Sequence, residues 1–141
     1  MEVKRFHSDH LVALWQLYLE SRTVTFTWLD TTNFGLLDFD RDTDGEQIWV
    51  AVEGEEVLGF ISIWAPDCFI HHLFVSPQQL RSGAGSKLLN TSKQHYSELS
   101  LKCLVANENA IGFYHSKGFV IDSTVEGGLE SYHLMKFSAS T

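Results

Sequence analysis

The segment from His72 to Leu89, HLFVSPQQLRSGAGSKLL, constrains the fold of this chain more than any other. An apolar run ends at Val75, Pro77 breaks it, and Gly83 and Gly85 stand at the mouth of a stretch carrying Leu88 and Leu89. A buried strand that turns through glycines into a helix aims unpaired backbone N–H groups, and the positive end of a helix dipole, at one spot. Glycine lacks the Cβ that would hold a phosphate away from the backbone. Arg81 and Lys87 add charge. The pattern suits a phosphate-bearing ligand; it also suits glycines that only let strand and helix pack closely. It is not a P-loop, because no Gly-Lys-Ser/Thr closes it, and the third glycine of a dinucleotide fingerprint is missing.

Periodicity supplies the other elements. Residues 3–6 read as a short strand. Ser8-Asp9 then starts a helix in which Leu11, Val12, Leu14, Trp15, Leu17, Tyr18 and Leu19 recur at three- and four-residue spacing. The Thr- and aromatic-rich piece 23–32 reads as a loop, and 34–39 as a short helix. QIWVAVE (47–53) and VLGFISIW (57–64), joined across Gly54-Glu55-Glu56, predict a β-hairpin. Ala65-Pro66-Asp67 turns the chain into a strand at 68–75. Further on, 101–105 is a buried strand, 107–117 a helix stopped by Gly118, and 119–124 with 131–137 a last strand pair. The order is βα(α)βββαβαββ, expected to form a single domain over residues 1–141.

Composition narrows the function. Hydrophobic residues make up 44% of the 141, enough to bury a core. Eighteen acids face ten bases, for a net charge of −8. Nine of those acids, with only Arg41 against them, lie between Asp30 and Glu56, and the rest of the chain balances. Such a chain lacks the basic footprint of a nucleic-acid binder. The polar start MEVKRFHSDH has no signal-peptide core, and no apolar run approaches a membrane span. Cys68 and Cys103 sit in apolar runs as small hydrophobes. A cytoplasmic protein is the expectation.

A second segment, about twenty residues beyond the glycine turn, reads Asn107-Glu-Asn-Ala110-Ile-Gly-Phe113-Tyr114-His-Ser-Lys-Gly118-Phe119. With the first, it resembles the GNAT superfamily of acetyl-CoA-dependent N-acetyltransferases. The glycine turn looks like that family's pyrophosphate loop, Gln/Arg-x-x-Gly-x-Gly/Ala, except that Leu80 stands where Gln or Arg is usual. The second segment matches the family's Asn-x-x-Ala-x-x-Phe-Tyr-x-x-x-Gly-Phe residue by residue. The strand order agrees as well, so the resemblance spans nearly the whole chain. It implies an α/β (α+β) fold: a mixed, mostly antiparallel sheet flanked by helices, with a splayed strand pair forming the CoA cleft.

The resemblance also implies roles. The amides of Arg81, Ser82, Gly83, Ala84, Gly85 and Ser86 would meet the pyrophosphate of acetyl-CoA. The backbone of Leu73, Phe74 and Val75 would hold the pantetheine arm, and an N–H at Leu73 or Phe74 would polarise the thioester carbonyl. Asn107 would bind the arm or nearby backbone; as a bare residue type it is also a helix N-cap. Tyr114 would protonate the leaving thiolate; without the motif it reads as a buried helix aromatic. A base must also deprotonate the attacking ammonium. His71 and His72, as neighbours on a strand, are expected on opposite faces, with His72 favoured as the base and a shared metal ion excluded on the same ground; both also read as packed histidines, and a chain of waters would serve as the base instead.

The acidic stretch admits three readings. Asp40-Arg-Asp42-Thr-Asp44-Gly45-Glu46 opens like an EF-hand loop, but Ala51 stands where the bidentate Glu is required. It can be a solvated loop. It can also be a rim that attracts a cationic acceptor. Phe26, Trp28 and Phe34 lie where the family covers its acceptor, and also read as core. The leading expectation is transfer to a primary amine of a small molecule or peptide; the alternative is a non-catalytic acetyl-CoA-binding module. Exposed sheet edges allow a homodimer.

Overall fold

The computed structural model describes residues 1–25, 35 and 38–139. Among them seven strands form one sheet in the order β1-β2-β3-β4-β5-β7-β6. They are β1 Glu2–Arg5, β2 Gln47–Glu53, β3 Glu56–Trp64, β4 Phe69–Val75, β5 Glu98–Leu104, β6 Val120–Val125 and β7 Tyr132–Ser138. Every neighbouring pair is antiparallel except β4 and β5, which run parallel. The helices are α1 Leu11–Thr25, α2 Asp38–Asp42, α3 Ala84–His95 and α4 Glu108–Ser116. This is the expected order and the expected mixed, mostly antiparallel sheet.

Two apolar cores sandwich the sheet. The α1 face presents Leu14, Leu17 and Tyr18, one helical stripe, to Ile48, Val50, Val52 and Phe60. On the opposite face, Ala84, Leu88 and Leu89 of α3 pack with Trp49, Ala51, Ile61, Ile63, Ile70, Leu99 and Leu101. Ile111, Phe113 and Tyr114 of α4 lean on that second core. Residues 48–52 of β2 are all buried because alternate side chains feed the two cores. The strand β5 begins at Glu98 rather than 101, since Leu99, Leu101 and Cys103 already alternate into the α3 face.

The helix α2 runs past residue 39, where the sequence suggests an end, and takes in Asp40 and Asp42. It is held to α1 by three hydrogen bonds. The Tyr18 hydroxyl donates to Asp42 (2.7 Å), the Trp15 indole to Asp40 (2.9 Å) and the Arg22 guanidinium to Asp38 (3.1 Å). The residues that open like a calcium loop are therefore helix and turn, with two of the carboxylates engaged by α1. Phe26, Trp28, Asp30 and Phe34 lie outside the described residues.

Two irregularities shape the centre of the sheet. The β3–β4 register shifts between Ser62 and Ile63: Ile63 faces Ile70 and Ser62 faces His72, so His71 is the extra residue of a β-bulge. The β4–β5 pairing covers only Phe69 with Ser100 and Ile70 with Leu101. Beyond that point the strands part, which is the expected splay. Gly59, opposite Val75, permits the close approach of β3 there: a Cβ would stand 2.7 Å from the Phe74 carbonyl oxygen.

Candidate active site

The gap between β4 and β5 has polar walls of backbone. Ser76 N–H bonds the Leu58 carbonyl on β3 (2.7 Å), so by the alternation of an antiparallel ladder Phe74 also faces β3. Leu73 and Val75 then turn their N–H and C=O groups toward β5, which has already diverged. The Val75 carbonyl accepts from the Ser21 hydroxyl of α1 (3.2 Å). Leu73, with both its backbone groups, and the Val75 N–H are left facing the gap. Of the two positions read as thioester polarisers, the geometry favours Leu73.

At the head of the gap, Gly83 adopts φ +86° and caps α3. A side chain there would be strained, although it would meet nothing within 4 Å. The Ser82 hydroxyl accepts from Ala84 N–H (3.3 Å), and Ser82 N–H bonds Gln79 (3.1 Å). Two of the amides expected to bind phosphate are thus already engaged. Those of Gly83, Gly85 and Ser86 have no partner among the described residues and remain as the donors of the helix mouth. Gly85 lies against Phe113 and Val75, so it also serves the packing of α3 on β4 and α4. Lys87 reaches back to the Met1 carbonyl (3.4 Å). Leu80 is 67% exposed beside this loop.

Tyr114 packs between Phe113 and Phe119, and burial, reinforced by Cys103, pushes its phenol well above the usual range. It stays protonated at neutral pH, and its hydroxyl has no hydrogen-bond partner among the described residues. Asn107 caps α4: its Oδ1 accepts from Ala110 N–H (3.3 Å), leaving the amide NH2 for other contacts. Burial raises the Cys103 thiol to about 11, so it stays protonated at neutral pH.

The histidines correct the sequence reading. They do not point to opposite faces, because the bulge adds a residue to β4 and breaks the alternation between positions 71 and 72. Their rings lie 3.9 Å apart, tilted by 31°. Opposite faces therefore do not exclude a shared metal ion: Glu46, His71 and His72 bring possible ligand atoms within 4.8 Å of one another. His72 is packed against Tyr18, Phe60 and Phe74 on the α1 face, with Nε2 3.2 Å from the Asp42 carbonyl. Burial, then the neighbouring His71, lowers its pKa to about 4. His72 and Tyr114 therefore lie on opposite faces of the sheet.

His71 instead borders a pocket of about 530 Å³ at the bulge. Asp42, Asp44, Glu46 and Asp67 line it against Arg41 and Lys102, with Trp64 and Phe69 as aromatic wall. The acidic stretch thus borders the sheet where β4 and β5 part. Glu46, Asp67 and Trp64 were not singled out by the sequence as site residues. The excess of acids between Asp30 and Glu56 hinted at Glu46 alone; Trp64 and Asp67 lie outside it.

A model of the Acetyltransferase (GNAT) family matches residues 11–119. The peptidyl-lysine N-acetyltransferase YiaC of Escherichia coli (strain K12) is 30% identical over 122 residues, 84% of this chain and 83% of that one. Apo-form YjaB of Escherichia coli shares the fold with a TM-score of 0.75, at 24% identity over 98% of this chain and 96% of that one. So does the PaiA N-acetyltransferase of Thermoplasma acidophilum, solved in complex with coenzyme A, with a TM-score of 0.76 at 17% identity over 97% and 98%. The chain belongs to the GNAT family: it is an N-acetyltransferase with acetyl-CoA as co-substrate.

Proposed function

We propose that this enzyme acetylates a primary amine carried on a cationic acceptor, in the first instance a lysine side chain of a peptide, by direct attack on the thioester. The observation that carries this reading is the acidic pocket at the β4 bulge. A pocket with four carboxylates against two cations attracts an alkylammonium, and its aromatic wall suits the methylene stem behind it. The lysine-directed activity in the name of the relative YiaC supports the same choice.

In this reading the two substrates approach from opposite faces and meet in the gap. The Gly83, Gly85 and Ser86 amides hold the pyrophosphate, with Arg81 adding charge from the loop, while Ser82 and Ala84 brace the turn. Leu73 and the Val75 N–H hold the pantetheine arm, with Phe74 fixing that stretch to β3, and Asn107 offers its NH2 group. Leu73 N–H stabilises the charge that develops on the carbonyl oxygen. Tyr114 protonates the departing sulfur. Because its environment disfavours the phenolate, that proton is replaced at once from the attacking nitrogen, whose acidity rises as the C–N bond forms.

The test is thiol release from acetyl-CoA over a panel of amines that includes lysine peptides, polyamines and neutral amines. Tyr114→Phe is expected to lower kcat by roughly 100-fold with little change in KM for acetyl-CoA. Wild-type protein that binds acetyl-CoA yet turns over no amine would instead be the non-catalytic module. Preference for neutral amines would remove the cationic acceptor.

A further inference from the structure

We propose that His71 and Glu46 form the proton relay that turns the acceptor's ammonium into the attacking amine, His71 as the catalytic base and Glu46 as the residue that positions it. This rests on the amine acceptor argued above. Glu46 Oε2 lies 2.7 Å from His71 Nδ1. The Glu46 side chain is only 5% exposed, whereas His71 is half exposed. Its other oxygen, Oε1, is buried with no hydrogen-bond partner among the described residues. The carboxylate charge is therefore directed at one group, the imidazole. A carboxylate at Nδ1 holds the tautomer with the proton on that nitrogen and leaves Nε2 as the acceptor, the logic of a carboxylate-oriented histidine in acyl transfer.

The bulge sets the place. His71 is the inserted residue, next to Ile70, where the pairing with β5 ends, and two residues before Leu73. Two strand residues span about 7 Å, a distance an imidazole and an alkylamine bridge together. The groups that face His71 are Asp42 at the end of α2, Asp44 in the turn after it, Asp67 from the β3–β4 turn, Arg41 and Lys102 as counter-charges, and its neighbour His72. His72 cannot share the task. Its Nε2 is turned to the Asp42 carbonyl and its ring is enclosed by Tyr18 and Phe74.

The step balances. The ammonium N–H gives its proton to His71 Nε2, and the imidazolium, with Glu46 at its other nitrogen, passes that proton to solvent through the open pocket. The freed lone pair forms the C–N bond and the C–S bond breaks. The second nitrogen proton reaches the sulfur by way of Tyr114. One proton is released for each amide formed.

The experiment compares wild type, His71→Asn and Glu46→Gln with a lysine peptide and acetyl-CoA across pH. Stabilisation by CoA on melting serves as the check of folding. His71→Asn is expected to lose roughly 100-fold in kcat and to lose the acid limb of the rate profile, with KM for acetyl-CoA unchanged. Glu46→Gln is expected to keep part of the rate and to lower kcat with KM for acetyl-CoA unchanged, because the ring loses the group that orients it. A His71→Asn variant that is folded, within about threefold of wild type and unchanged in profile overturns the relay while leaving the acetyltransferase reading intact. Wild-type activity lost on dialysis against a chelator and restored by Zn2+ also overturns it, in favour of a metal held by Glu46, His71 and His72. Wild type without turnover on any amine removes both readings.

Discussion

His72 carries a pH dependence that its surroundings impose. Its folded pKa is about 4, lowered first by burial and then by His71, against about 6.5 in an unfolded chain. Above pH 6.5 the ring is neutral in both states and contributes no slope. As pH falls from about 6.5 to 4, the unfolded chain takes up a proton that the folded chain does not, and stability drops by up to about 3 kcal/mol. Denaturant unfolding at pH 7, 5.5 and 4 should record this loss, and His72→Gln should flatten it. The carboxylates of Asp38, held low chiefly by the Gly35 N–H, and of Asp42, held low by Arg41 and Tyr18 against burial, lose their contribution only at lower pH. The two windows are therefore separable. An equal slope in His72→Gln and wild type would show that another group is responsible.

Among the elements, α2 decides whether the acidic pocket exists. It is only five residues long, and so short a helix owes its place to tertiary contacts. Tyr18 supplies the main one. Its phenol is raised above its usual range first by burial and then by the bond it donates to Asp42. Tyr18→Phe is expected to cost about 1 kcal/mol and, by loosening α2, to raise KM for a lysine peptide while leaving that for acetyl-CoA unchanged. Denaturation and steady-state kinetics check the two parts; equal effects on both substrates would contradict it. The elements themselves were legible in the sequence because each carries its own period, as in the Leu14, Leu17, Tyr18 stripe of α1. The bulge was not. It is a property of the register between β3 and β4, and no pattern within HHLFV announces that residue 71 lacks a partner. Strand alternation alone therefore puts the two histidines on opposite faces, and only the register brings them together.

Over the whole molecule the charge of −8 acquires a location. Asp42, Asp44, Glu46 and Asp67 gather on one pocket, while the donors of the glycine turn lie at the N-terminus of α3 on the other core. On the proposed reading, a cationic acceptor and an anionic co-substrate would meet fields of opposite sign on opposite sides of one sheet. Raising ionic strength from 0.05 to 0.5 M should increase KM for a lysine peptide, since the screening length falls from about 14 Å to about 4 Å over that range. Asp44→Asn with Asp67→Asn should raise KM at low salt and weaken its salt dependence. A peptide KM indifferent to both would remove the pocket from acceptor binding.

By itself the sequence determined the order of the elements, the family, and the two motif segments proposed to face acetyl-CoA. Each is local: a hydrophobic period, a glycine that must take positive φ, a helix cap, a motif of fixed spacing. Tertiary structure alone decided which amides remain unpaired, that Ser21 takes the Val75 carbonyl, and that Glu46 reaches His71 from 25 residues away. Those facts depend on strand register and on the docking of α2, which are set by the packing of distant segments and by no single stretch of chain.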